Sequence, residues 1–328
     1  MSEAPRNTII IGSGPAGYTA GIYTSRAQLE PLLFAGEKNG GQLMNTTLVE
    51  NWPGSKDGIL GPELMMDMRA QAEKFGTEII DKNVTRVDFS GDVKKVYIGE
   101  TEYQAKSIIV ATGAKARMTG VPGEEKLLGR GVATCAVCDA AFYKEKNTFV
   151  VGAGDAAIED AMALTKFATK VTMLVRSDTM RASKIMQERA QNHDKIEIRF
   201  NTQLKEVKGD KKLESIVITN SQTNQDEEVQ ADGVFVAIGH LPVTDIFKDQ
   251  LELDAKGYLM SHLTQAQQES NEVTWLHGFP TQTSVEGVFA AGDVVDFRYR
   301  QAVTSAGMGC MAALDAERYL TGSASGSW

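Results

Sequence analysis

The stretches NTIIIGSGPAGYTAGIYTSRA, from Asn7, and NTFVVGAGDAAIEDAMALTKFATKVTMLVRS, from Asn147, follow one local plan. In the first, the apolar run Thr8 to Ile11 is the mark of a strand buried on both faces. Gly12, Gly14 and Gly17 then form G-x-G-x-x-G, a helix-like segment runs through Arg26, and a second apolar run covers Pro31 to Gly36. In the second, a strand ends near Val151, the turn carries Gly152, Gly154 and Ala157, a helix reaches about Ala168, and a strand ends at Val175. The glycines have distinct tasks. The first permits the tight turn, the second lets a pyrophosphate reach the backbone, and the third, or an alanine there, lets helix and strand pack closely. One such turn is a weak signal, but two complete units predict two bound dinucleotides.

The residues ending each second strand separate the two sites. A free ribose 2′-hydroxyl is usually held there by a carboxylate, whereas a 2′-phosphate needs arginine. Arg176 takes the place of the acid in the second unit, with Ser177, Asp178 and Arg181 following, which points to NADPH. In the first unit Phe34 and Ala35 end the strand and Glu37 comes later, so the ribose there must be held differently. SIIVATGA (Ser107 to Ala114) and GVFAAGDVVD (Gly287 to Asp296) read as buried strands returning to the first site. Asp293 is placed to accept a hydrogen bond from a ribose or polyol hydroxyl, and a helix starts near Gln301.

This order of segments predicts an α/β chain of two Rossmann-like, doubly wound nucleotide-binding domains, the second inserted in the first. Residues 1–117 and 245–320 form one, residues 118–244 the other, and 321–328 are a tail outside the fold. MTGVPGEEK, from Met118, and GHLPVTD, from Gly239, read as the two linkers, and crossings at one place permit a hinge.

With a formal charge of −9 and a pI near 5.1, the chain lacks the basic surface that nucleic-acid phosphates demand. No apolar run nears the roughly 20 residues of a membrane-spanning helix, and no secretion signal is visible. Three cysteines are too few for a disulfide framework. A cytoplasmic protein is expected.

Two of those cysteines, Cys135 and Cys138, stand as C-x-x-C in TCAVCDAAFY. A zinc site would need further ligands, and Cys310, His193, His240, His262 and His277 are not at ligand spacing, so no metal is expected. So short a loop also makes a poor structural staple. A C-x-x-C pair that lowers a thiol pKa and closes reversibly suits a chain that also binds a hydride donor. Asp139 is a candidate acid or base for the thiol protons, or else a capping or solvated carboxylate. Cys310 reads as a core thiol.

From Asn7 to about Leu320 the chain resembles the low-molecular-weight thioredoxin reductases. The resemblance rests on GSGPAG, GGQL (Gly40 to Leu43), ENWPG (Glu50 to Gly54), ATG (Ala111 to Gly113), CAVCD, VGAGDAAIEDA, AIGHLP and AAGDVVDFRYRQAVTSAGMGCMAALDAERYL. It implies a homodimer that passes electrons from NADPH to FAD, then to a Cys135–Cys138 disulfide, then to thioredoxin. It also implies rotation of the inserted domain, because one disulfide must serve both flavin and protein substrate. Cys138 is the sulfur expected next to the flavin, Cys135 the one that attacks thioredoxin, and Asp139 the proton carrier. The implied FAD residues are Gly12, Ser13, Gly14, Pro15, Ala16, Gly17, Gly41, Gln42, Asn51, Val84, Ala111, Thr112, Gly113, Asp293, Arg300, Gln301 and Ala302. For NADPH they are Gly152, Gly154, Asp155, Ala156, Ala157, Arg176 and Arg181.

The chain departs from that family in one telling place. Where the family carries H-R-R-x-x-x-R, this sequence reads VRSDTMR, with Val175 and Ser177 in place of the histidine and middle arginine. Ala156 replaces a polar residue, and Ala140 a glycine. Losing one charge-assisted hydrogen bond to phosphate weakens binding by about 1.5–3 kcal/mol. Two other assignments therefore stay open: a flavin-dependent dithiol oxidase, and a thioredoxin reductase fed by another donor.

Overall fold

The computed structural model describes residues 4–46, 48–264 and 278–322. His277, and the expected tail beyond residue 322, lie outside the described residues. Packing divides the chain into two units. The first comprises the residues up to Met44, Trp52–Lys115 and those from Pro242 on; the second comprises Asn45–Asn51 and Ala116–Leu241.

In the first unit, strand Arg6–Ile11 lies between Leu32–Phe34 and Thr101–Val110, both parallel to it. Glu78–Ile80 extends the sheet on one side, and Val288–Ala290 pairs in parallel with Thr101–Val110 on the other. The unbroken apolar runs follow from burial of both faces. Ile9 and Ile11 join Phe34, Val110 and Val288 in one core, while Ile10 joins Leu33, Ile109 and Phe289 in another. Each such side chain contributes roughly 1.5–3 kcal/mol when fully buried.

Helices Pro15–Arg26, Gly61–Lys74 and Ala302–Thr321 cover the second of these faces, through Tyr18, Met65 and Ala312. The other face meets Val87 and Val96 of the antiparallel strands Arg86–Asp88 and Lys94–Ile98, with Phe247 and Leu251. The doubly wound expectation therefore takes a form with helices on one face and, on the other, antiparallel strands that continue the same sheet from Thr101–Val110. Gly309 sets the approach of the first and last helices, because a Cβ there would lie 2.1 Å from the Ala16 carbonyl oxygen.

The second unit repeats the plan. Strands Val132–Ala133, Gly233–Val236, Asn147–Val151, Lys170–Leu174 and Ile196–Arg199 form a parallel sheet in that order. Val150, Met173 and Phe235 pack on helix Asp155–Thr165 through Ile158, Ala161 and Leu164. On the other face, Phe149, Val151 and Val236 meet Leu204, Ile216 and Ile218 of the antiparallel sheet Thr202–Lys208, Ser215–Asn220, Asp226–Gln230.

The chain's two crossings lie side by side, since strands Ala114–Ala116 and His240–Pro242 pair with each other. MTGVPGEEK, expected as a linker, is a turn fastened by its own acid. The buried Glu124 carboxylate accepts the N–H groups of Thr119 and Gly120 and the Thr119 hydroxyl, at 3.1, 2.7 and 2.6 Å.

Candidate active site

The three glycines of the first turn meet three different surroundings. Gly12 has φ +115°, and a Cβ there would stand 2.2 Å from the Ala111 carbonyl oxygen. At Gly17 it would stand 1.9 Å from the Gly12 carbonyl oxygen, whereas at Gly14 it would meet nothing within 4 Å. Gly14 is therefore the open side of the turn. It is also the N-cap of helix Pro15–Arg26 and offers no side-chain cap, so the first-turn N–H groups remain for an anion. Gly41 closes on this turn, with φ +67° and room for a Cβ only 3.2 Å from the Gly14 Cα.

Other expected FAD residues gather at the same carboxyl ends of the parallel strands, where α/β sheets bind ligands. Ala111 follows strand Thr101–Val110 and donates its N–H to Ile11 at 2.8 Å. Thr112 spends its hydroxyl on the Val243 carbonyl at 2.7 Å, and Gly113 turns with φ +71°. Ser13 is buried and faces inward, donating to the Ala35 carbonyl at 2.6 Å and accepting the Gly40 N–H at 2.9 Å. Only its backbone is left for a ligand. Gln42 is exposed and donates to the Ala114 carbonyl, and Val84 is a partly buried prop of the core. Asn51 is exposed and belongs to the segment grouped with the second unit.

The C-terminal corner completes the first unit's site. A Cβ at Gly292, where φ is +80°, would lie 2.9 Å from the Ala16 Cβ, so Asp293 follows a turn pressed against the first helix. Burial pushes the Asp293 carboxyl up to about 6, opposed by the Ser305 hydroxyl that donates to it at 2.9 Å. The Asp296 carboxylate gathers the N–H groups of Arg298, Tyr299 and Arg300 at 2.8–2.9 Å, with Arg300 at φ +49°. Gln301 and Thr304 form a reciprocal capping box at the start of the last helix, one residue before Ala302.

The second glycine turn obeys the same sterics. A Cβ at Gly152 would lie 2.5 Å from the Ala237 carbonyl oxygen and 2.7 Å from the Ala157 Cβ, while at Gly154 it would meet nothing within 4 Å. Ala157 is fully buried, Ala156 is exposed, and Gly154 caps helix Asp155–Thr165 without a side-chain bond. Asp155 turns aside: its Oδ1 accepts the Ser183 N–H at 2.9 Å and the Ser183 hydroxyl at 2.8 Å. Arg176 and Arg181 are exposed and pair with no described residue.

Cys135 and Cys138, also in the second unit, are joined as a disulfide with Cα atoms 5.4 Å apart. Cys135 caps the short helix Ala136–Asp139, its Sγ accepting the Cys138 N–H at 3.2 Å. Ala136 gives its N–H to the Asp160 carboxylate at 3.2 Å, which fastens the redox turn to the helix of the second glycine motif. Nothing in the local sequence announces Asp160, which reads as one more acid on a helix surface. Asp139 is half-buried, and burial raises its carboxyl to about 6. No described residue hydrogen-bonds that carboxyl, so a proton can be held there or released near neutral pH. Cys310 departs from the sequence reading. It is half-buried rather than core, and lies in hydrogen-bonding reach of the exposed Tyr23. Among the described residues, no cluster of His, Cys, Asp or Glu could hold a metal.

A family profile described as pyridine nucleotide-disulphide oxidoreductase matches residues 6–309. The chain belongs to that family. A thioredoxin reductase of Streptomyces clavuligerus is 50% identical to it over 98% of this chain and 95% of that protein. One from Mycolicibacterium smegmatis is 48% identical over 97% and 98%. Among solved structures, thioredoxin reductase from Streptococcus pyogenes superposes with a TM-score of 0.88 at 40% identity, covering 98% of this chain and all of the other.

The second unit of this pyridine nucleotide-disulphide oxidoreductase carries both the Cys135–Cys138 disulfide and an open glycine turn at Gly154. The first unit holds a second open turn at Gly14. Both turns fit a pyrophosphate by the same criterion, uncapped N–H groups beside a glycine that faces open space.

Proposed function

We propose that this chain is a thioredoxin-disulfide reductase that takes electrons from NADPH and delivers them to thioredoxin through the Cys135–Cys138 pair. One observation carries the reading: a disulfide at the N-terminus of a short helix, followed by a half-buried carboxyl titrating near 6, in the unit that bears an open dinucleotide turn.

FAD would be held in the first unit by the Gly12–Gly17 turn, Ala111–Gly113 and the Asp293 corner, with Ala302 at the helix start facing the flavin. When bound, it supplies the two-electron carrier between a hydride donor and a disulfide. The Gly152–Ala157 turn would hold NADPH, with Arg176 and Arg181 on the 2′-phosphate. Their freedom from ion pairs supports that role, because a guanidinium already spent on a carboxylate would bind phosphate poorly.

The thiol chemistry belongs to the chain itself. Two electrons and two protons open Cys135–Cys138 to a dithiol. The Cys135 thiolate attacks one sulfur of the thioredoxin disulfide, forming a mixed disulfide and releasing a thiolate on thioredoxin. Cys138 then attacks Cys135, which restores the internal disulfide and frees reduced thioredoxin. Asp139 takes the Cys138 proton as that sulfur attacks and returns it to the leaving thiolate. Rotation of the second unit about the paired crossings would let one disulfide meet both partners. A homodimer in the cytoplasm belongs to the same reading.

Steady-state assay with thioredoxin and NADPH tests this. One NADPH should be consumed per thioredoxin disulfide opened, and Cys135→Ser should abolish turnover. Oxygen uptake with a small dithiol, and none of this thioredoxin reduction, would contradict the reading.

A further inference from the structure

The loop between Arg176 and Ser183 has its backbone fastened at successive points while its cations stay free. Asn201 donates its N–H to the Ser177 carbonyl at 3.0 Å, and the Ser177 hydroxyl donates to the Thr179 carbonyl at 2.7 Å. Gln187 Nε2 donates to the Ala182 carbonyl at 2.7 Å, and the Met180 and Ala182 side chains are buried. The remaining ties run to the glycine turn itself. The N–H groups of Arg181 and Ala182 both reach the Ala153 carbonyl, at 2.8 and 3.0 Å, and Ser183 gives its N–H and its hydroxyl to Asp155 Oδ1.

We infer that Asp155 is a positioning residue that clamps this loop onto the dinucleotide turn, so that Arg176 and Arg181 are preset for the phosphomonoester on the nucleotide's ribose. The inference rests on the NADPH reading and deepens it. An acid immediately after the glycine turn would repel a pyrophosphate, and a residue serving only that group would not be an acid. Its worth lies in the two hydrogen bonds its Oδ1 accepts from Ser183, which also hold its carboxyl below the usual range. Ser177 is spent on its own turn, so two arginines must do the work of a larger cluster. Preorganisation compensates, because a loop whose backbone is already fastened loses less freedom on binding.

The test is calorimetric titration of the FAD-loaded protein with 2′,5′-ADP, which carries the phosphomonoester, and with 5′-AMP, which lacks it. Asp155→Ala should weaken 2′,5′-ADP about tenfold, equivalent to about 1.4 kcal/mol, and leave 5′-AMP within about twofold. Asp155→Asn keeps an oxygen acceptor for Ser183 and should bind 2′,5′-ADP as the wild type does, or more tightly. Steady-state kinetics should show the Asp155→Ala loss as a raised KM for NADPH. Equal weakening of both nucleotides by Asp155→Ala, or no weakening of either, overturns the clamp. Failure of Asp155→Asn to restore binding also overturns it. A wild-type protein that binds 5′-AMP as tightly as 2′,5′-ADP would overturn the NADPH reading itself, a different result from any of these.

Discussion

The Asp160 carboxylate accepts the backbone N–H of Ala136 at 3.2 Å, tying the helix of the second glycine motif to the first residue of the short helix that Cys135 caps. A carboxylate at a helix N-terminus opposes the partial positive charge that would otherwise favour a thiolate there.

Removing that charge should make Cys135 more acidic. In reduced protein, Asp160→Asn should lower the pH midpoint for alkylation of the more reactive thiol by about half a unit to one unit. Asp160→Ala should also lower stability by about 1–3 kcal/mol, since it leaves the Ala136 N–H without its acceptor. An unchanged midpoint in Asp160→Asn would separate this carboxylate from the thiol chemistry.

Asp139 has a folded-state pKa near 6, raised by burial above the value of an unfolded aspartate. Folding therefore favours its protonated form, and stability falls as pH rises from about 4 to about 6, remaining lower above that window. Asp139→Asn should be more stable than wild type at pH 7, by on the order of 1 kcal/mol after discounting for solvent screening, and no more stable at pH 4. Its thioredoxin turnover should fall about a hundredfold or more, with loss of the rate inflection near pH 6. A variant as active as wild type would remove Asp139 from the proton transfers.

Two glycines of the first turn separate binding from folding. Gly14 has φ −71° and space for a Cβ, so Gly14→Ala should fold with the melting temperature of flavin-stripped wild type and purify without flavin colour. Gly17→Ala places a methyl 1.9 Å from the Gly12 carbonyl oxygen and should destabilise the fold by about 1–3 kcal/mol. Equal flavin content in Gly14→Ala and wild type would place the pyrophosphate elsewhere.

Arg176→Ala and Arg181→Ala should each raise the KM for NADPH about tenfold to a hundredfold, the value of one charge-assisted hydrogen bond. The KM for NADH should move less than about twofold in both. Parallel changes with both nucleotides would mean that neither guanidinium meets the 2′-phosphate.

Most of the glycine logic was legible because it is local. Gly12, Gly17 and Gly152 are required by backbone atoms within a short stretch or one strand away, and the apolar runs follow from burial on both faces of a sheet. The Cys135–Cys138 pairing also agrees with what the resemblance implied. Side chains acting over longer separations left no sequence signal. Asp155 is spent on Ser183, and Ser13 on Ala35 and Gly40, each by hydrogen bonds whose partners only the fold reveals. The antiparallel strands on the other face of each sheet were equally hidden, since residues such as Leu204 and Ile218 show only ordinary strand alternation. Cys310 reads as core because its helix is apolar, although that helix turns it toward Tyr23.

The central claim, a disulfide reductase fed by NADPH through a flavin, is tested most directly by mixing the FAD-loaded protein anaerobically with NADPH, and separately with NADH, while following flavin absorbance. The account predicts rapid bleaching by NADPH and slow bleaching by NADH. Bleaching by neither would contradict it and leave another electron donor, or a dithiol oxidase, in its place.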